Sequence, residues 1–175
     1  VGLSGDVDDL RLDSLQAVST FSLHTSTLSS LDLPALEEVG EYLEAYRNTM
    51  LTDLSVPLLT TTGDLNFRDN DSLVEWDLDS LSALRGDLTL QNNDLLESVP
   101  DLPLVTEVGG SVSIMRNDWL TDLGGLDWLS SIAGTMTIAE NCSLDSADAE
   151  DLRDSIGLSN VGGALLYSNG SACTP

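Results

Sequence analysis

The chain has 175 residues, 41% of them hydrophobic, which suffices for one folded domain with its own core. Asp and Glu number 30 against 6 basic residues, all Arg, and the formal charge of −24 argues against nucleic acid, whose phosphates need clustered Lys or Arg. No apolar run reaches the ~18 to 20 residues of a membrane span, so no membrane insertion is expected of this segment; nothing near Val1 resembles a signal peptide, and a start at Val reads as a mature or excised segment.

In chain order, "GDVDDLRLDSL" from Gly5 reads as a partial first coil. "FSLHTSTLSSLDL" from Phe21 keeps a strand alternation but has Ser26 where later coils carry Asn. Residues 1–33 are therefore expected as atypical N-terminal coils of a single domain spanning 1–175, with regular repeats over 34–144.

The regular repeats are anchored by Asn48, Asn70, Asn93, Asn117 and Asn141, spaced 22, 23, 24 and 24 residues apart. Five before each Asn stand Leu43, Leu65, Leu88, Val112 and Met136, and three before stand Ala45, Phe67, Leu90, Ile114 and Ile138. Polar residues alternate with them, which predicts a strand with one buried face. Three after the Asn come Leu51, Leu73, Leu96, Leu120 and Leu144, then Leu54, Trp76, Val99, Leu123 and Ala147. Upstream, Val39, Thr61, Leu84, Val108 and Ile132 form one column and Leu36, Leu58, Leu81, Val105 and Leu129 another. About six inward side chains per coil, at ~1.5 to 3 kcal/mol for each large one, make stacking the main stabilising term.

Gly63, Gly86, Gly110 and Gly134 precede the strands and suit a tight corner that needs positive φ. The Asn slot reads as an inward hydrogen-bonding ladder rather than a glycan acceptor. "NDS" at Asn70 and "NCS" at Asn141 are sequons, but Asn48, Asn93 and Asn117 fill the same slot without one. Asn169, in "NGS", counts one residue short of the register and stands as the glycosylation candidate.

Over 145–175 a helical insertion, "DSADAEDLRDSIG", and a C-terminal cap are expected. Asp145 or Ser146 caps the helix, Leu152 and Ile156 share a face, and Gly157 ends it. Cys142 and Cys173 fall at nearby phases of consecutive coils and read as a disulfide closing this end, with free thiols as the alternative. A bridge implies an oxidising compartment.

The core "LxLxxNxxL" at Leu88, Leu90, Asn93 and Leu96 resembles a leucine-rich repeat with one extra residue after the Asn. The whole coil, as in "VGGSVSIMRNDWLTDL", looks more like the receptor L domain of the insulin and epidermal growth factor receptors and the similar repeats of microbial surface proteins. The resemblance implies a mainly β fold: a short right-handed parallel β-solenoid of about six or seven coils, extracellular and used for recognition or assembly. This chain has few cysteines, so growth-factor binding is not carried over.

Catalysis is not expected. The outward columns, Glu44, Asn66, Thr89, Ser113, Thr137 and Tyr46, Arg68, Gln91, Met115, Ala139, put no paired carboxylates in adjacent coils, and no cofactor is indicated. His24, the sole imidazole, reads as a surface residue, and Asp69, Asp71, Asp94, Asp118 and Asp122 as a solvated acidic face rather than a calcium site. Tyr42, Tyr46, Arg68, Met115 and Trp119 are the candidate binding residues, because outward aromatics and Arg dominate recognition hot spots. The Thr residues are too few for an ice-binding face. The expected role is a secreted or cell-surface recognition or structural module, binding a protein or glycan. The alternative is a self-assembling filament or surface-layer subunit in which the partner is the chain itself. Such acidity suits a salty exterior, although a GC-rich genome also depletes lysine.

Overall fold

A computed structural model describes residues 8–170. The chain winds as a parallel β-solenoid of about six turns. The main sheet stacks the long strands Ala17–His24, Glu38–Tyr46, Asp64–Arg68, Leu88–Gln91, Val112–Met115, Ser131–Ala139 and Val161–Tyr167. A second sheet pairs Asp9–Arg11, Ser30–Asp32, Asp53–Ser55 and Glu75–Asp77 in the same parallel sense.

The strands form where apolar and polar residues alternate, because a pleated strand sends alternate side chains to opposite faces. Leu88 and Leu90 are in register with Val112 and Ile114 on one side and Leu65 and Phe67 on the other, all fully buried. A middle coil buries seven apolar side chains, Leu78, Leu81, Leu84, Leu88, Leu90, Leu96 and Val99. The seventh column, Leu33, Val56, Leu78, Leu102 and Leu126, goes beyond the six read from the sequence.

Three column assignments are corrected. Leu59, not Leu58, is buried, and Thr62, not Thr61, continues the Val39 column. The cause lies at the corner before the main strand. Val18, Thr62 and Leu84 precede Phe21, Leu65 and Leu88, so this corner takes three residues in some coils and four in others. Ala147 is exposed because the chain has already entered a helix there.

That helix, α1 (Ser146–Ile156), is capped by Asp145, whose carboxylate accepts from the Ala147 N–H at 3.0 Å. Gly157 ends it at φ 88°, donating its N–H to the Arg153 carbonyl. Ala149, Leu152 and Ile156 are buried in the common core and close the C-terminal end. At the other end Leu10, Leu12, Leu15, Val18, Phe21 and Leu23 are only partly buried.

The corner glycines are not there for positive φ, which corrects the sequence expectation. Their role is close approach: a Cβ on Gly63 would stand 1.9 Å from the Glu41 carbonyl oxygen, and one on Gly109 2.1 Å from that of Arg85. Positive φ falls instead on Thr25, Arg47, Asp69, Asn92, Arg116, Glu140 and Ser168, each immediately before a ladder position. This left-handed residue bends the chain so that the next side chain points inward.

The ladder itself is continuous. Each Asn oxygen accepts the backbone N–H of the Asn one coil earlier, as from Asn93 to Asn117 at 3.0 Å. Its Nδ2 donates to a strand carbonyl of that earlier coil, as from Asn117 to Leu90 at 3.1 Å. The ladder begins at Ser26, whose N–H and hydroxyl both donate to Asn48 Oδ1.

At the far end Asn169 is corrected from glycan acceptor to ladder member. It is 2% exposed, accepts from the Asn141 N–H and donates its Nδ2 to the Ile138 carbonyl at 2.9 Å. Counting back, Gly162, Ala164 and Leu166 hold the usual offsets, so the register was intact across the helix. Cys173 lies outside the described residues, and with it the expected Cys142–Cys173 bridge.

Candidate recognition surface

Stacking in register turns each strand position into a straight outward rank. The rank two residues before the ladder runs His24, Tyr46, Arg68, Gln91, Met115, Ala139 and Tyr167, with Ala139, expected to be outward, fully buried. Three candidates, Tyr46, Arg68 and Met115, therefore share one line. Tyr42 lies on the same strand as Tyr46, beside Thr20 and Asp64 in the neighbouring coils. Trp119, 57% exposed, lies beyond the ladder turn of the Met115 coil, on the adjoining corner with Leu95 one coil before it. The ranks thus bring four candidates onto one face and leave Trp119 round its edge.

The N-terminal end of this rank is an aromatic and cationic cluster. His24 packs edge-on against Tyr46 with ring centroids 5.8 Å apart, and its Nε2 meets Glu44 Oε1 at 2.6 Å. The Arg47 guanidinium lies over the Tyr46 ring at 4.8 Å, within cation–π range. Trp76, read as core, is half-buried and meets Phe67 edge-on at 5.2 Å.

Arg11, Arg47, Arg116 and Arg153 each pair with a carboxylate. Among the described residues Arg68 and Arg85 form no ion pair, in a chain with 30 Asp and Glu. Arg85 was not singled out in the sequence, and neither were His24 and Tyr167 as ends of the Tyr46 rank. The signal for the rank was the offset of two from each ladder residue. For Arg85 the register of the variable corner was needed first.

The acidic turns form a rank of their own. The carboxyl of Asp94 is raised above its ordinary pKa, first by desolvation and then by repulsion from Asp71 and Asp118. Among the described residues no group of three or more His, Cys, Asp or Glu has a metal-holding arrangement. No described helix is long and apolar enough to cross a membrane.

No family matches the chain, and no solved structure does. A cell surface GPI-anchored protein of Arthroderma benhamiae is 37% identical over 82 residues, which is 45% of this chain and 21% of the relative. The chain thus spans about a fifth of that relative's length.

Proposed function

We propose that the chain is a non-catalytic recognition module displayed at a cell surface, binding a protein or glycan through the rank containing Tyr46, Arg68 and Met115, flanked by Tyr42 and Trp119. The observation that carries this reading is Arg68. It is exposed, free of any ion pair among the described residues, and set between Tyr46 and Gln91 in adjacent coils. An unneutralised guanidinium beside an aromatic ring is a chemistry that partners use and that folding does not require.

The surface location draws support from the GPI-anchored relative, and kinship with receptor L domains or leucine-rich repeats from the coil pattern. A Cys142–Cys173 bridge belongs to the same reading, since the exterior is oxidising. The test is a glycan array and a cell-surface extract screened with the chain and with a Tyr46→Ala/Arg68→Gln variant. A partner retained by the chain and weakened at least ten-fold by the variant is expected. Equal binding by both would reject the rank as the site.

A second reading, self-assembly, is favoured by the N-terminal end. There Leu10, Leu12, Leu15, Val18 and Phe21 line a largely apolar cavity of about 650 Å³ at the mouth of the core. The strands Ala17–His24 and Asp9–Arg11 leave one edge each without a described neighbour. Sedimentation at high and low salt separates the two, with polymers expected from an assembling subunit and monomers from a recognition module.

A further inference from the structure

We propose that a trough beside the glycine corner binds an oligosaccharide carrying a carboxylate, with Arg85 taking the carboxylate and Glu107, Ser131 and Asn160 engaging the hydroxyls. This deepens the recognition reading and rests on it, but places the ligand at a different site from the Tyr46 rank. The trough has a volume of about 650 Å³ and is lined by four consecutive coils, through residues 82–85, 106–109, 131–133 and 159–162. That volume is within the ~300 to 1,000 Å³ of small-ligand sites. Four coils at about 4.8 Å spacing make it about 14 Å long, the reach of a short oligosaccharide.

Its depth follows from coil packing. Leu84, Val108, Ile132 and Val161 are stacked in register, so Arg85, Gly109 and Ala133 form one outward line, which Gly162 continues at a shift in register, lying against the carbonyls of both Ala133 and Gly134. A Cβ at Gly162 would stand 2.7 Å from the Gly134 carbonyl oxygen, and Gly109 is tighter still, so this line is low for three coils and Arg85 stands at its head. Glu107, in register with Ser131, is the one carboxylate of the lining, and it makes no ion pair with Arg85. In a chain of charge −24 this is a concave surface with one cation, one anion, hydroxyl, amide and small groups, over a base that includes the buried Leu84, Val108, Ile132 and Val161.

Those groups select the ligand class. A guanidinium holds a carboxylate by two parallel hydrogen bonds. Glu107 accepts from hydroxyls, while Ser131 and Asn160 both donate and accept. An extended peptide fits less well, because backbone amides here are spent on coil stacking: Arg85 N–H donates to the Thr62 carbonyl and Gly109 N–H to that of Leu84. A strand laid along the trough would find no free ladder to join. The overall negative charge disfavours long polyanions, so few carboxylates per chain are preferred.

Calorimetric titration of the full chain with trigalacturonate, its methyl ester and triglutamate tests the assignment. Trigalacturonate is expected to bind, and the neutral ester and the peptide at least ten-fold more weakly. Arg85→Gln and Ala133→Leu, both at exposed positions, should each weaken binding at least ten-fold with the melting temperature unchanged, and Arg68→Gln should not. Equal binding of the ester or of triglutamate, indifference to Arg85→Gln, or no binding of trigalacturonate would overturn the proposal. Loss with Arg68→Gln alone would also overturn it while moving the ligand to the Tyr46 rank and leaving the recognition reading intact.

Discussion

The turn after each main strand and the corner before it do the same geometric job by different means. The ladder turn is held by a side chain. Asn70, Asn93, Asn117 and Asn141 each accept from the coil before, donate into it, and receive an N–H from the leucine three residues on. The spacing from strand to turn is therefore the same in every coil described. The glycine corner is packed backbone on backbone and is followed by a shorter side-chain ladder, in which Asp64, Asp87 and Ser111 accept the N–H of Asp87, Ser111 and Thr135 one coil on. Upstream of it the chain takes three residues in one coil and four in the next. The Asn ladder fixes the count from strand to turn in every coil, whereas upstream of the corner glycine packing sets only a separation and the count varies.

The largest effect should come from breaking the fixed turn. Asn117→Ala leaves the buried Asn93 N–H without its acceptor, removes a donor from the Leu90 carbonyl and opens a void inside the turn; an unmet buried group alone costs about 1 to 3 kcal/mol. A total loss of about 3 to 5 kcal/mol is expected in urea titration. Ser26→Ala, at the end of the same ladder, keeps the backbone bond to Asn48 and should cost under about 1 kcal/mol. Equal losses at the two sites would mean that the ladder is decoration on a packing-driven turn.

The glycines of the variable corner should respond to size, because backbone stands against the place a Cβ would take. Gly109→Ala forces a methyl to 2.1 Å from the Arg85 carbonyl oxygen, and backbone cannot move aside cheaply, so a loss of about 1 to 3 kcal/mol is expected. Gly40 occupies the position of Gly109 three coils earlier, following Val39 as Gly109 follows Val108, and its Cβ would stand no nearer than 3.5 Å to any neighbour. Gly40→Ala should leave stability unchanged or raise it by up to about 1 kcal/mol. Thermal melts of the two variants side by side check the contrast.

The same difference explains what was legible in the residues. Positions tied to the ladder, such as Leu88, Leu90 and Leu96 around Asn93, were placed correctly because a side chain marks them. Leu59 and Thr62 were displaced by one because nothing in "LTTTGD" announces a shorter corner. The Leu33 to Leu126 column was missed because it lies furthest upstream of the Asn, beyond that corner. Asn169 was misjudged although its own offsets were regular, since the inserted helix stretched the interval to 28 residues. The Tyr46 rank was readable as a column, but the trough at Arg85 needed the corner register, and it needed the glycine contacts to show that the floor is low.

A fixed register also has a cost, which sets the smallest expected effect. Residues one after the ladder Asn stack on each other whatever their charge, so Asp94 lies between Asp71 and Asp118 in adjacent coils. Its folded pKa is raised by desolvation and by those two neighbours. A carboxyl raised in the folded state favours folding when protonated. That contribution is present below the ordinary carboxylate pKa of about 3.9 and is lost as pH rises through the folded value. At neutral pH the charged form is therefore a strain on the folded chain, held well below about 1 kcal/mol by solvent at this exposed site. Asp94→Asn should raise the melting temperature slightly at pH 7 and low salt. The gain should shrink with added salt, and should vanish as pH falls through the window just above the ordinary carboxylate range. A gain that persists at acid pH would locate its origin in the turn's hydrogen bonding, and would remove charge stacking as the penalty of an invariant turn.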